Sequence, residues 1–209
     1  MFKIPDPPVM LIADMSFFGE RLLTVVEECF EAGCRWAMVR GKQKPLEEVK
    51  TAARKILLKA EKHQAQVYVN SYAEIVAELD AHGVHLPQGF SVGRARKIVG
   101  EGKAVGVSVH SLDEALHAEK ESADYVALSP VFPSISKHGY SRELGLEGIR
   151  LVSSTLRISV VALGGVRPGN AAACLQNGAK AVAVLGALSE KLPPRTVMRQ
   201  IIGELKQGL

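Results

Sequence analysis

The sequence predicts an α/β chain folded as a single (β/α)8 TIM barrel, one domain over residues 1–209. Three observations carry this expectation. Eight short apolar runs recur along the chain, and the one at 159–166 is too short for most helices and β-branched, as a buried strand is. Segments with helical spacing lie between most of these runs. Strand followed by helix, eight times in 209 residues, also sits near the lower size limit of such a barrel. A doubly wound sheet of fewer strands is the alternative. No linker, low-complexity tract or shift in composition divides the chain.

Taken in order, strands are expected at residues 9–13, 35–39, 66–69, 83–86, 104–109, 125–131, 160–163 and 181–185. The first helix is expected over 20–32, where Leu22, Leu23, Val26 and Phe30 fall at helical spacing and Gly33 stands where a C-cap would. A long helix, charged on one side, follows over 46–63, then shorter ones over 72–81 and 91–99. The helix over 112–122 begins after Ser111, and Glu114 three positions on completes a capping box. Helices over 146–155, 171–177 and 194–206 finish the set. The stretches Ala32-Gly33-Cys34-Arg35, Ala81-His82-Gly83 and Asn177-Gly178-Ala179-Lys180 share a glycine turn into the next strand, a weak internal repeat of the unit.

The last two strand ends draw attention as a pair. Val160-Val161-Ala162-Leu163 runs into Gly164-Gly165, and Ala181-Val182-Ala183-Val184-Leu185 runs into Gly186. Adjacent glycines let a backbone approach a ligand with no Cβ in the way. Two consecutive strands ending so can aim backbone N–H groups at one phosphate, which singles out Gly164, Gly165, Leu185 and Gly186 as phosphate-binding candidates. Two ordinary βα turns would carry the same glycines. Pro168 and Asn170 suit a helix start.

Composition removes several classes of function. No apolar run reaches the roughly 18 residues that a membrane span needs, and the first residues lack the pattern of a signal peptide, so a cytoplasmic protein without a membrane partner is expected. Cys29, Cys34 and Cys174 fit neither a metal spacing nor a disulfide framework and read as small buried hydrophobes in a reducing compartment. The net charge of +4 is mild, and the basic residues are interleaved with acidic ones, as in Glu47-Glu48-Val49-Lys50. With few aromatics and no basic cluster, no nucleic-acid partner is expected. A small anionic substrate suits such a chain.

In a barrel of this type the active site lies at the C-terminal ends of the strands. Those ends carry Arg40-Gly41-Lys42, Asn70-Ser71-Tyr72, His85-Leu86-Pro87-Gln88, Ser108-Val109-His110-Ser111, a loop with Ser134, Ser136, Lys137 and His138, and the glycines above. Arg40 and Lys42 suit a phosphate or pyrophosphate, and equally a solvated surface. His85 sits inside an apolar run and reads as a core histidine, while His110 could simply bound its helix. The histidines are dispersed and lack carboxylates at ligand spacing, so no protein-only metal site is expected.

Together these motifs resemble the thiamin phosphate synthase and TenI family. Arg40-Gly41-Lys42, Asn70, Gly83-Val84-His85-Leu86-Pro87-Gln88, Ser108-Val109-His110-Ser111, the segment from Pro130 to Lys137, Leu144-Gly145-Leu146-Glu147-Gly148, Ala162-Leu163-Gly164-Gly165-Val166 and Val182-Ala183-Val184 lie in the family's order over nearly the whole chain. The resemblance implies an enzyme that joins an aminopyrimidine pyrophosphate to a thiazole phosphate, or a TenI relative that moves a proton between thiazole phosphate tautomers. It implies that Arg40, Lys42, Asn70 and Lys137 meet the pyrimidine and its pyrophosphate and that Ser108 lies near the pyrophosphate. Ser134, Ser136, Gly165 and the Leu185-Gly186 backbone would hold the thiazole phosphate.

The chain departs from the synthase pattern in places that bear on chemistry. Asn70-Ser71-Tyr72 stands where the synthase has Asn-Asp-Arg, and Gln88-Gly89-Phe90 where it has Gln-Glu-Asp; those two aspartates bind Mg2+. Met38 replaces the usual glutamine before the basic pair, and Pro130 stands where tautomerases carry their histidine. The expectation is therefore a thiazole-phosphate binder of the TenI type, with Lys137, His110 and His138 as acid–base candidates, Lys137 foremost. The alternatives are a divergent synthase, the only reading that brings in Mg2+ and the aminopyrimidine pyrophosphate, and a non-catalytic sensor of a thiamin precursor. The sequence leaves a homo-oligomer open.

Overall fold

The computed structural model describes residues 2–133, 143–189 and 192–207. Eight parallel strands close into a barrel in chain order, each hydrogen-bonded to the next and the last to the first. They are β1 (Val9–Asp14), β2 (Trp36–Arg40), β3 (Gln66–Asn70), β4 (Gly83–Leu86), β5 (Ala104–Val109), β6 (Tyr125–Leu128), β7 (Ser159–Leu163) and β8 (Ala181–Val184). The helices are α1 (Met15–Phe18), α2 (Leu22–Glu31), α3 (Leu46–Lys62), α4 (Ala73–Leu79), α5 (Val92–Val99), α6 (Leu112–Lys120), α7 (Gly145–Thr155), α8 (Ala171–Gln176) and α9 (Pro194–Gln207). The expected barrel is thus observed, and the doubly wound alternative falls away.

The strand period of two sorts the side chains into two cores. Val9, Leu11, Ala13, Val67, Val69, Val126 and Leu128 face outward and join the apolar faces of the helices in one large cluster. Met10, Ile12, Trp36, Met38, Tyr68, Tyr125, Ala127, Val161, Ala181 and Ala183 face inward and fill the barrel. Trp36 meets Tyr68 and Tyr125 edge-on, with ring centroids 5.4 and 5.3 Å apart, and Phe2 stacks on Tyr125 at 5.2 Å. Glycine makes room for these rings: a Cβ on Gly106 would collide with the hydroxyl end of the Tyr125 ring, and one on Gly83 would lie 2.9 Å from Tyr68.

Several boundaries differ from the sequence reading. The helix expected over 20–32 is preceded by α1 and a 3-10 turn, Gly19–Arg21, because the Asp14 carboxylate accepts the Ser16 and Phe17 N–H groups at 3.0 Å and starts a helix early. Strand β6 stops at Leu128 and not at residue 131. Pro130 has no N–H to offer, and the Val131 and Phe132 N–H groups turn to the Leu163 and Gly164 carbonyls at 2.9 and 3.0 Å. Asn170 precedes α8, yet its side chain makes no cap bond; it accepts from the Arg167 N–H at 2.8 Å and donates to the Gly165 carbonyl at 3.0 Å, tying the turn after β7. Ser111 does cap α6, accepting from the Glu114 N–H at 3.2 Å.

Candidate active site

The inward period of each strand, continued past the aromatic layer, brings polar residues to the C-terminal end. Met10-Ile12 leads to Asp14, Trp36-Met38 to Arg40, Tyr68 to Asn70, Gly106 to Ser108, and Tyr125-Ala127 to Ser129. Asp14 and Arg40 are register partners across β1 and β2 and form an ion pair. The Asp14 side chain is 4% exposed and that of Arg40 34%, so the carboxylate is a fixed support and the guanidinium reaches toward solvent. Because Asp14 also caps α1, one carboxylate anchors both the first loop and the cation. Gly41 is fixed by packing, since a Cβ there would press on Val49 and Met15. Lys42 is exposed and pairs with no carboxylate among the described residues.

Contacts continue around the rim. Asn70 Nδ2 and the Ser71 N–H both donate to the His85 carbonyl at 2.9 Å, linking β3 to β4. The Ser71 hydroxyl donates to Asn70 Oδ1 at 3.3 Å. His85 is fully buried, with Nδ1 3.0 Å from the Tyr125 hydroxyl and Nε2 2.9 Å from the Ser108 hydroxyl. Burial, and then the nearby Arg40 charge, pull its pKa down to about 4. His85 is therefore a neutral core histidine, as expected, but one that reaches a rim hydroxyl. His110 Nδ1 lies 2.6 Å from the Ser129 carbonyl, and its N–H donates to Glu114 at 2.6 Å. Gln88 donates to the other Glu114 oxygen at 2.6 Å.

The glycine turns have a second explanation. Gly164 and Gly165 hold φ of +97° and +66°, and their missing Cβ atoms would press on Pro130, Phe132 and Pro133. The loop after β6 occupies the space that a ligand was expected to use on the Cβ side of Gly165. Gly186 has nothing within 4 Å of its Cβ direction. Both turns leave adjacent strands at the same barrel end, with Leu163 and Ala183 in register.

The structure thus brings Arg40, Asn70, Ser108, His110, Gly164, Gly165, Leu185 and Gly186 to one face. Ser134, Ser136, Lys137 and His138 lie outside the described residues. One residue of this face went unread in the sequence, Asp14. For Asp14 a signal existed, since it ends an alternating run and is a residue type that caps helices.

The sequence model of a family described as thiamine monophosphate synthase matches residues 9–188. The chain belongs to that family. It is 34% identical over 186 residues to a thiamine-phosphate synthase of Methanosarcina mazei, covering 88% of this chain and 77% of the relative. It is 33% identical to a putative thiamine-phosphate synthase 2 of Aquifex aeolicus, covering 88% and 98%. Among solved structures, a thiamine phosphate pyrophosphorylase from Pyrococcus furiosus superposes with a TM-score of 0.86 at 29% identity, covering 96% of each chain. Membership agrees with the motif resemblance. The names of these relatives support the synthase alternative better than the tautomerase reading, and they do not separate the TenI branch.

The Mg2+ implied by the synthase side of the family does not fit the residues present. Ser71 and Phe90 replace the two aspartates, and Phe90 stands 53% exposed with no oxygen to give. Asp14 is committed to Arg40 and to α1. Asp80, one of the two carboxylates nearest in sequence, follows the C-terminus of α4 and pairs with Lys103, just before β5, at the opposite end of the barrel. Glu74, the other, is an exposed residue in the first turn of α4. Among the described residues no group of three or more His, Cys, Asp or Glu could hold a metal ion. No helix among them is long and apolar enough to cross a membrane.

Proposed function

We propose that the chain binds a thiazole phosphate at the C-terminal face of the barrel and moves a proton on it, in preference to expelling pyrophosphate from an aminopyrimidine. The observation that carries this reading is the donor set at the ends of β3 and β4, a hydroxyl and a phenyl where pyrophosphate departure needs Mg2+-binding carboxylates. Arg40 and Lys42 supply charge for the phosphate, and the turn at Gly165 offers a backbone N–H beside them.

Proton transfer needs a group with one free nitrogen or a shifted ammonium. His110 meets that need by geometry. A carbonyl oxygen only accepts, so His110 Nδ1–H donates to Ser129, and in the neutral ring Nε2 is then the nitrogen that holds the lone pair. Lys137 and His138 remain the other candidates. The second reading, a divergent thiamin phosphate synthase, is favoured by the names of the relatives.

One assay series separates these readings. The purified protein is given the thiazole phosphate tautomer, and separately both synthase substrates with Mg2+. Tautomer turnover is expected, falling about 10²–10⁴-fold in His110→Ala and less in Lys137→Ala and His138→Ala. Robust Mg2+-dependent thiamin phosphate formation would install the synthase reading. Binding with neither turnover would make the chain a sensor.

A further inference from the structure

The contact between His85 and the rim has a direction. His85 is neutral, so one ring nitrogen donates and the other accepts. Its Nδ1 faces the Tyr125 hydroxyl and its Nε2 the Ser108 hydroxyl. Two arrangements satisfy both bonds. In the first, Tyr125 donates to Nδ1, and Nε2–H donates to Ser108. In the second, Ser108 donates to Nε2, Nδ1–H donates to Tyr125, and the phenolic proton must find another acceptor.

Among the described residues Tyr125 has none. Its hydroxyl meets only His85, and the residue is fully buried among Trp36, Tyr68 and Phe2. A buried donor left without an acceptor suffers the full desolvation penalty of an unmade bond. Burial also holds the phenol far above its ordinary pKa, so that proton stays on. The first arrangement leaves no buried proton unpaired. It places the surplus donor on Ser108, which is half-buried at the end of β5.

We propose that Tyr125, His85 and Ser108 form a one-way hydrogen-bond relay that leaves the Ser108 proton as an oriented donor for a ligand oxygen at the C-terminal face. His85 and Tyr125 are positioning residues in this relay, and Ser108 is the group that meets the ligand. That last step rests on the reading of the face as a thiazole-phosphate site. The relay also gives Gly106 a role. A side chain there would displace the Tyr125 ring and with it the origin of the chain.

The ring protonation of His85 can be read directly by nitrogen-15 NMR of the histidine-labelled protein. The expected state is a protonated Nε2 and a bare Nδ1. A protonated Nδ1 overturns the relay whatever the protein binds. Thiazole phosphate titrations then test the output. Ser108→Ala and Tyr125→Phe should each weaken binding about two- to tenfold, and the double variant should bind no more weakly than Ser108→Ala alone. Additive losses would mean that Tyr125 acts by some other route and would overturn the proposal. Wild-type affinity in Ser108→Ala would overturn the donor role of Ser108. Failure of the wild-type protein to bind thiazole phosphate would defeat the functional reading, while the ring protonation still decides the relay. Should Tyr125→Phe fold poorly, the wild-type spectrum and Ser108→Ala remain sufficient.

Discussion

The lower and upper halves of the barrel interior come from the same strands and are held in opposite ways. Below, Trp36, Tyr68, Tyr125 and Phe2 interlock through ring faces and edges, and Gly83 and Gly106 vacate the space those rings take. Above, Asp14, Arg40, Asn70, Ser108 and Ser129 are held by hydrogen bonds and an ion pair, mostly to a neighbouring strand. A step of two to four residues along a strand separates the layers. The lower layer relies on shape; the upper one, where Asp14 and Ser129 are buried and Arg40, Asn70 and Ser108 are half-buried, needs partners. Stability and chemistry are thereby sorted along the barrel axis, with His85 and the Tyr125 hydroxyl it meets at the boundary, buried like the rings and bonded like the rim.

The largest test of this sorting lies in the lower layer. Trp36→Ala should lower the unfolding free energy by about 3–5 kcal/mol in urea titrations, through a cavity the strands cannot close. Thiazole phosphate affinity should hold wherever the variant is still folded. A parallel loss of affinity would break the separation. Because Trp36 Nε1 has no hydrogen-bond partner among the described residues, Trp36→Phe should be much milder than truncation to alanine.

His85 sharpens the boundary through pH. Its folded value of about 4 lies below the ordinary 6.5, so between those values the unfolded chain holds a proton that the folded one refuses. The contribution is fully present above about pH 6.5 and is lost as pH falls toward 4, reaching about 3 kcal/mol. His85→Gln should flatten that limb of the stability profile. An unchanged slope would mean that His85 titrates in contact with solvent and belongs to the rim.

Smaller effects are expected above. Asp14→Ala removes the α1 cap and the Arg40 partner and should destabilise by about 2 kcal/mol; Asp14→Asn, which keeps an acceptor for the cap, should lose less. Equal losses in the two variants would assign the whole effect to the ion pair. Smallest is Gln88→Ala, which breaks an exposed bond to Glu114 and should change stability by no more than about 0.5 kcal/mol. A larger drop would show that the rim contributes to the fold as the lower layer does.

The sequence makes the barrel legible because its signals are local. Each apolar run is a few residues long, each helix carries its own periodicity, and Ser111 with Glu114 announces a helix start within four residues. The rim was legible where a polar residue ends an apolar run, as at Arg40, Asn70 and Ser108. What stayed hidden depends on partners far along the chain. Asp14 matters through Arg40, 26 residues on, and His110 through Ser129, 19 residues on. The early end of β6 was hidden for the same reason, since Val131 and Phe132 turn to acceptors in the strand after it. The sequence makes Gly164 and Gly165 candidates for the close approach of a ligand, and the structure sets Pro130, Phe132 and Pro133 of the protein's own loop on their Cβ side as an obstacle.

That obstacle constrains how the chain can change over time. A methyl group at position 165 meets Phe132 and Pro133, residues that the sequence places more than thirty positions away. Substitutions at these two places should therefore be epistatic. Gly165→Ala should be deleterious in this background and better tolerated once the 132–133 segment has moved aside, although the positive φ would still disfavour any side chain. Mutational routes through this part of the barrel depend on order, and a library that varies either loop alone would sample mostly dead ends.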